Sequence, residues 1–581
     1  MTLKDKLPVS YLLFTSRGRI NRLTYWIASL FIWTSFYVLF VLTDSFISDR
    51  WTWIWSLPLF LALYATAAKR LHDQNLSSRW LLCILIPVAG PLFLLTILGF
   101  RPGSRQTNRF GMVPFTAPDY LTNPEAQAIP HLKTAERIVN DVTGLNPIVV
   151  SRVEAPATQE ELIRLVREST EPLCIGGGRF SMGGQTASPG CLHIDMRKLN
   201  RIVSFSPSEA VICVEAGIRW CDIQQHIDPH GLSVKIMQTY ANFTVGGSLS
   251  VNCHGRYIGL GPLILSVRSL DVLTASGDMM HVSPHEQAEI FYACVGGYNA
   301  VAIIVQAEFE LTANKPVIRS HRKMPRSAYG AFFRQHVREN PQVVFHNADI
   351  YPPHYKTVRA VSWTETTRKP TVKTRLMPLA ASYPLERYFI GAFARGNFGK
   401  WRREHLIDPL VFWFTKIHWR NYEAGYDVRE LEPASRVDTT FVLQEYFVGI
   451  DKLDEFTKQM AEIFIRHQVN VINISIRHAR KDSGSLMAWA REEVFAFVVY
   501  YCQRTDVVEK NKVAVWTREL IDAVLSSGGT YYIPYQAHAT PAQFMKAYPG
   551  AEKLFELKKR MDPGYRFRNV LWDTYYQPTQ L

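Results

Sequence analysis

Before any other feature, three apolar stretches limit how this chain folds: Tyr25 to Leu42, Trp51 to Ala68 and Trp80 to Phe100. Each runs for about 18 to 21 residues, long enough to cross a hydrocarbon core roughly 30 Å thick. In lipid every backbone polar group must be satisfied internally, so such stretches fold as helices or, where broken, lie buried among helices. Charged flanks repeat and no small-residue cleavage site follows the first stretch, so none reads as a removable signal and the chain is expected to be anchored in a membrane. Lys4, Lys6, Arg17, Arg19 and Arg22 precede the first stretch, and Lys69, Arg70 and Arg79 lie between the second and third, against Arg50 alone in the first loop. The positive-inside rule then makes the N-terminus and the second loop cytoplasmic. Pro87, Gly90 and Pro91 interrupt the third stretch, and Arg101, Arg105 and Arg109 follow it. A re-entrant hairpin is therefore favoured over a full crossing, which leaves the rest of the chain cytoplasmic. Trp26, Trp51, Trp53, Trp55 and Trp80, at span ends, read as interface anchors.

The strings G-R-I-N-R-L-T-Y-W (Gly18 to Trp26), A-K-R-L-H-D (Ala68 to Asp73) and P-G-S-R-Q-T-N-R-F-G (Pro102 to Gly111) resemble a small family of bacterial inner-membrane domains of unknown function. That resemblance implies a location, the bacterial inner membrane with a multi-pass topology, and no activity. His72 and Asp73 invite a proton or metal role, but at a membrane edge a structural role is favoured. Residues 113–150 read as a linker in which Ala126 to Val142 form one amphipathic helix.

A chain of 581 residues exceeds one core, and three or four folding units are expected. The formal charge of +14 is spread along the sequence without a dense basic run, so a membrane surface or an anionic substrate explains it and no nucleic-acid partner is implied. The eight cysteines include no C-x-x-C pair, so reduced, mostly buried thiols and no metal site are expected.

The next constraint is C-I-G-G-G-R-F-S-M-G-G-Q-T, Cys174 to Thr186, with five glycines among thirteen residues. Stripping side chains from one bend lets several backbone N–H groups face a single anion such as a pyrophosphate. Around it the pattern is that of an α/β domain. Thr158 caps a helix with Glu161 three positions on, and strands follow at Leu173–Ile175, 191–195, 202–205 and 210–215. A second glycine segment, Thr244 to Ser248, leads into Asn252-Cys253-His254-Gly255-Arg256, and apolar strands at 267–274 and 301–311 flank a helix ending at Gly296-Gly297. Two glycine turns roughly 60 residues apart suit the two halves of one extended dinucleotide.

In order, I-G-G-G-R-x-S-x-G-G, H-I-D-M-R-K-L-N, V-E-A-G-I-R-W, T-V-G-G-S-L-S-x-N-x-H-G, V-R-S-L-D-V-L-T-A-S-G-D and V-G-G-Y-N-A-V-A-I-I resemble the FAD-binding domain of the vanillyl-alcohol-oxidase superfamily, over about Arg152 to Thr312. Within it the chain is most similar to the branch of aldonolactone oxidases and the decaprenylphosphoryl-ribose oxidase, whose C-terminal pattern resembles Ala547 to Asn569. The implied fold is multi-domain. An N-terminal α-helical membrane domain (1–112) and the linker precede an α+β flavoprotein of two subdomains, a PCMH-type FAD domain (151–315) and an antiparallel-sheet substrate domain (316–543). A C-terminal segment (544–581) returns to the FAD domain.

Carried over by position, the resemblance implies that Gly176, Gly177, Gly178, Arg179, Phe180 and Ser181 hold the FAD pyrophosphate and that Gly183, Gly184 and Gln185 continue the cradle. Thr244, Gly246, Gly247 and Ser248 would line the other side, with His254 and Gly255 near the isoalloxazine and Ile303, Ile304 and Val305 at the adenine end. Members that bind FAD covalently have His where Arg179 stands, which implies non-covalent FAD here and a cation suited to a pyrophosphate.

For chemistry, the family's C-terminal lysine falls at Tyr535, with Gln536 and His538 beside it, and an ionised tyrosine there is a base only if its pKa is lowered. His254, Arg256, Tyr535 and Arg477 are the catalytic candidates, Arg256 falling where lipid-linked sugar oxidases carry a cation for the substrate; Gln444 and His478 are weaker ones. The aromatic, basic stretch Tyr383 to Tyr426 reads equally as an amphipathic lid on the bilayer or as a structural helix.

The leading expectation is a membrane-anchored FAD oxidoreductase taking hydride from an alcohol C–OH of a sugar, a polyol or a polyprenyl-phosphate-linked sugar. The alternatives are a flavin reductase of a lipid double bond and a flavin-binding scaffold or sensor. The electron acceptor, whether oxygen, a quinone or a partner protein, stays open.

Overall fold

A computed structural model describes residues 9–16, 18–46, 54–104, 108–110, 121–122, 137–378, 396–426, 436 and 438–576. The chain forms two compact units. One is built on Met1–Leu132, and the other on Lys133–Leu379, Ala392–Glu430 and Phe441–Leu581.

In the first unit the helices Arg22–Phe46 and Ser56–Asp73 form an antiparallel pair. Ile20 N–H reaches Lys69 O at one end, and Trp55 Nε1 donates to Thr43 Oγ1 at the other, 2.9 Å away. Among the described residues one helix, Arg22–Ser45, is long and apolar enough to cross a membrane. The second apolar stretch ends in the charged run 69–73, and the third is not one helix. It divides into a 3-10 segment (Ser78–Leu85), a helix (Ala89–Leu95) and a π turn (Thr96–Phe100), broken at Ile86–Val88. Gly90 allows the two arms to touch, since a Cβ there would lie 1.8 Å from Cys83 O.

The unit's outer faces are apolar, and its interior holds charged groups beside two small apolar clusters. Leu30, Tyr37, Leu57, Phe60, Leu85 and Leu92 are exposed, while Lys69, Arg70 and Asp73 are buried. Asp73 accepts from Arg19 Nη2 at 3.0 Å and from Arg70 Nη1 at 2.7 Å. Arg70 Nε also donates to Leu98 O, and Arg19 Nη2 to Ser104 O. His72 Nδ1 lies 3.1 Å from Gly18 O, and its ring stacks on Phe110 at 4.0 Å. His72 and Asp73 thus knot three motif strings together as structural groups. Trp26 donates to Gly99 O, whereas Trp51 and Trp53 lie outside the described residues.

After the short strand β1 (Leu121–Thr122) the second unit begins with a hairpin of β2 (Arg137–Val139) and β3 (Ile148–Val150). The helix expected over Ala126 to Val142 is corrected at its C-terminal end, where the β-branched run pairs as a strand; residues 126–136 lie outside the described residues. β4 (Arg152–Glu154), β5 (Leu173–Gly176) and β6 (Leu192–Asp195) make a parallel sheet in the order β4-β6-β5. Its crossover helix, Gln159–Glu168, is capped by Thr158, whose side chain accepts from Glu161 N–H, and buries Leu162 and Val166.

β7 (Ile202–Ser206), β8 (Val211–Glu215), β9 (Leu232–Val234), β10 (Val267–Thr274), β11 (Met279–Val282) and β12 (Ala302–Ala313) form an antiparallel sheet ordered β11-β10-β12-β8-β7, with β9 on β12. The third sheet has eight strands: β13 (Pro316–Pro325), β14 (Val343–Ile350), β15 (Thr357–Glu365), β16 (Ile417–Trp419), β17 (Thr439–Gly449), β18 (Val471–Ala479), β19 (Val494–Arg504) and β20 (Thr530–Tyr531). Their order is β16-β13-β15-β14-β18-β19-β17-β20. The C-terminal residues lie against the first sheet: Leu173 N–H donates to Arg566 O, and Arg568 N–H to Leu173 O. The eight cysteines are free thiols, and five of them are buried.

Candidate active site

The two glycine segments meet. A Cβ on Gly177 would stand 2.2 Å from Thr244 Oγ1, so only glycine lets the walls approach this closely. Between them runs a narrow cleft of about 50 Å³, lined by Gly176, Gly177, Ser181, Gln185, Thr244, Gly246, Gly247 and Ile304 from the expected set. Tyr298 and Asn299 line it too, both in left-handed backbone. They follow the Gly296-Gly297 turn of a quoted motif, which was the signal for them. The Tyr298 hydroxyl is buried and has no hydrogen-bond partner among the described residues.

Other expected cradle residues face elsewhere. Arg179, in left-handed backbone, turns its buried side chain to Asp195 Oδ2 (3.0 Å) and His193 Nε2 (3.3 Å). Its charge is spent inside the domain, on a carboxylate that Arg197 also holds, so it does not supply a cation at the cleft. The Ser248 hydroxyl donates to Thr244 O and accepts from Trp220 Nε1, within the core. Ile303 and Val305 alternate away from Ile304 into the core beneath the first sheet. Phe180 stacks on Phe243 at 4.2 Å and lies against Gly178, and Gly255 is pressed on Met237 O. Gly184 N–H donates to Asp141 Oδ2, so the loop after β2 braces the glycine bend.

Gly183 and Gln185 do something the sequence did not announce. A Cβ on Gly183 would strike Tyr535 O at 2.3 Å, and Gln185 Nε2 donates to Ile533 O (2.8 Å) and Tyr535 O (2.6 Å). Met182 N–H reaches Pro534 O, and Gln536 Nε2 donates to Met182 O. The cradle is therefore sewn to the segment that carries Tyr535.

There the chemistry-bearing side chains converge on Glu445, buried on β17, which sequence reasoning missed. Its Oε2 lies 2.6 Å from His254 Nε2, and its Oε1 accepts from the Tyr535 hydroxyl at 2.5 Å. Burial pushes the carboxyl up, but His254, Arg477 and Tyr535 outweigh that and hold it below the usual carboxylate range. Arg477, on β18, is in register with Ala496 of β19, the strand between it and β17. Its guanidinium acts on Glu445 and Tyr535, and its Nε is buried without a partner among the described residues. Phe447, Trp489 and Tyr532 wall the His254 ring.

Burial first, then Glu445, drives the Tyr535 phenol well above its ordinary pKa. This corrects the expectation of an ionisable base: Tyr535 is a neutral donor. Arg256 is also reassigned, because Glu423 takes its Nη1 at 2.8 Å and the Phe345 and Tyr426 rings cover it. Gln444 and His478 point to the opposite faces of their strands, Gln444 to Tyr501 and Thr517, His478 to Glu493. His538 stays on the Tyr535 loop, its carbonyl accepting from Arg518 Nε.

Both glycine segments fall within a match to a known family. Residues 147–283 match the family described as FAD binding domain, and residues 13–112 match one described as a protein of unknown function, DUF805. Decaprenylphosphoryl-beta-D-ribose oxidase of Mycolicibacterium smegmatis is 32% identical over 176 residues, 29% of this chain and 38% of that protein. Cytokinin dehydrogenase 6 of Oryza sativa subsp. japonica is 34% identical over 191 residues, 31% of this chain and 36% of that protein. L-gulonolactone oxidase of Mus musculus is 20% identical over 434 residues, 73% of this chain and 94% of that protein. The chain spans well under half the length of the first two. FAD is the cofactor, and four glycines with Ser181, Gln185 and Thr244 among them give the cleft the exposed backbone and polar donors that a dinucleotide takes.

Proposed function

We propose that this protein is a membrane-anchored FAD-dependent oxidoreductase acting on a C–OH group of a sugar, a polyol or a polyprenyl-phosphate-linked sugar. The observation that carries the reading is Glu445, held between His254 Nε2 and the Tyr535 hydroxyl on a segment sewn to the glycine cradle. When bound, FAD supplies the two-electron acceptor for the hydride leaving the carbon. The Glu445 carboxylate, 2.6 Å from His254 Nε2, takes the hydroxyl proton as the C–O bond becomes a carbonyl. Tyr535 keeps its own proton and orients that carboxylate, while His254 and then Arg477 favour its ionised form. No histidine stands at position 179, which supports non-covalent FAD.

The anchor is the first unit. Its outward apolar faces and the 24-residue apolar helix support a bilayer location. Arg70 ties Leu98 to the end of the helix Ser56–Asp73, and Arg22 donates to Phe100 O. Those contacts support a third segment that returns to the side it left, which by the positive-inside rule is the cytoplasm.

The test is an anaerobic bleaching screen of the full chain in detergent. Bleaching by sugars or polyprenyl sugars supports the reading. Bleaching by NADPH with reoxidation by an alkene lipid replaces it with a reductase. Intact flavin with no donor at all leaves a scaffold, and a colourless protein removes FAD altogether.

A further inference from the structure

From Gly396 to Phe414 the second unit carries a segment whose amphipathicity is inverted for a water-facing surface. A continuous helical run, Gly396–Arg402, Arg403–Ile407 and Asp408–Val411, lies on the eight-stranded sheet. Its charged residues turn inward. Arg403 donates to Ile472 O and Asn473 Oδ1, Glu404 takes Lys323 and Thr357, and Asp408 accepts from the Tyr351 hydroxyl. Its large apolar residues turn outward. Trp413 is 78% exposed, Phe414 73%, and Phe398 and Leu410 68% each, with Trp401 and Leu406 beside them. The exposed apex is fixed, because Arg319 Nη2 donates to both Val411 O and Phe414 O.

Burying ionic groups while exposing six large apolar side chains raises the free energy of the folded unit in water and lowers it in an apolar phase. We infer that this tip is a second membrane-docking surface, inserting its aromatic residues into the interface of the lipid bilayer. The chain itself holds a helix of bilayer-spanning length, so that surface is available to it. Arg319 and Arg402, whose guanidinium groups lie over the Phe412 and Phe398 rings of the segment, carry the positive charge that an anionic headgroup layer attracts. They disfavour a second copy, since a two-fold interface would set like charges against each other. The inference does not depend on which reaction the flavin site performs.

The test uses the full chain in nanodiscs of anionic lipid. Nitroxide labels are placed by Trp413→Cys or Phe414→Cys, with Val508→Cys, on an exposed helix elsewhere, as the reference. Cys83, Cys213 and Cys502, the cysteines not buried, are replaced by serine. The expected result is an oxygen-to-nickel-chelate accessibility ratio several-fold higher at 413 and 414 than at 508, with a depth of about 5–10 Å below the headgroups. Equal, water-like ratios at all three positions overturn the inference. So does dipolar broadening between labels at 413 in detergent, which assigns the face to a second copy.

Discussion

The glycine cleft and the Glu445 cluster are built in opposite ways. The cleft presents backbone: Gly176, Gly177, Gly246 and Gly247 line it, and Arg179 is turned away from it to Asp195. The Glu445 cluster presents side chains, with a carboxylate, an imidazole, a phenol and a guanidinium drawn from four distant segments. Holding a cofactor needs many weak, fixed donors and close walls, whereas moving a proton needs titratable groups set against one another. Binding and chemistry should therefore fail separately.

The largest effect should come from Glu445→Gln, which keeps shape and removes charge. Reduction of the flavin by a substrate found in the bleaching screen should slow by roughly 10²-fold or more, with FAD still bound. Loss of FAD together with rate would erase the division between cleft and cluster.

Gly177→Ala should do the reverse, releasing FAD, since its Cβ meets Thr244 Oγ1 at 2.2 Å. A cost of about 1–3 kcal/mol is expected, partly recovered in the double variant with Thr244→Ala. The ratio of flavin to protein absorbance measures both.

The two regions should also differ in acid. His193, beneath Gly176, is held neutral with its pKa pushed down to about 3, chiefly by burial and then by Arg179. The unfolded chain takes up that proton near pH 6.5, so folded stability falls by up to about 1.4 kcal/mol per pH unit as pH drops from about 6.5 toward 3. Asp195 is opposed by burial, but Arg197 and Arg179 lower it to about 2. Its contribution is full above about pH 3.9 and is lost as pH falls through about 2. Flavin release followed by fluorescence should track this acid limb, and His193→Gln should flatten its upper part. Tyr535, raised and neutral, should add no titration to the rate between pH 6 and 9.

The smallest effect belongs to Tyr298→Phe. Its hydroxyl has no partner among the described residues, so stability should hold while FAD affinity drops by about 0.5–1.5 kcal/mol, read by flavin titration of the stripped protein.

How much of this was legible in the sequence depended on distance along the chain. The glycine bend, the Thr158 cap, the strand at 267–274 and the break around Pro87 are local. Period, propensity and backbone freedom act within a few residues, and each left its mark in a short string. Which way a side chain faces was a matter of strand alternation and packing. Ile304 and Ile303 part company, Gln444 and Glu445 lie on opposite faces of one strand, and Arg179 turns inward although its neighbours line the cleft.

By itself the sequence determined that an apolar N-terminal unit precedes a glycine-walled FAD fold, because both rest on patterns too dense to mean much else. Only the tertiary structure decided that His254, Arg477 and Tyr535 meet at Glu445. Residues 254, 445, 477 and 535 have no relation in sequence, and their charges shift one another only once folding has brought them together and excluded water.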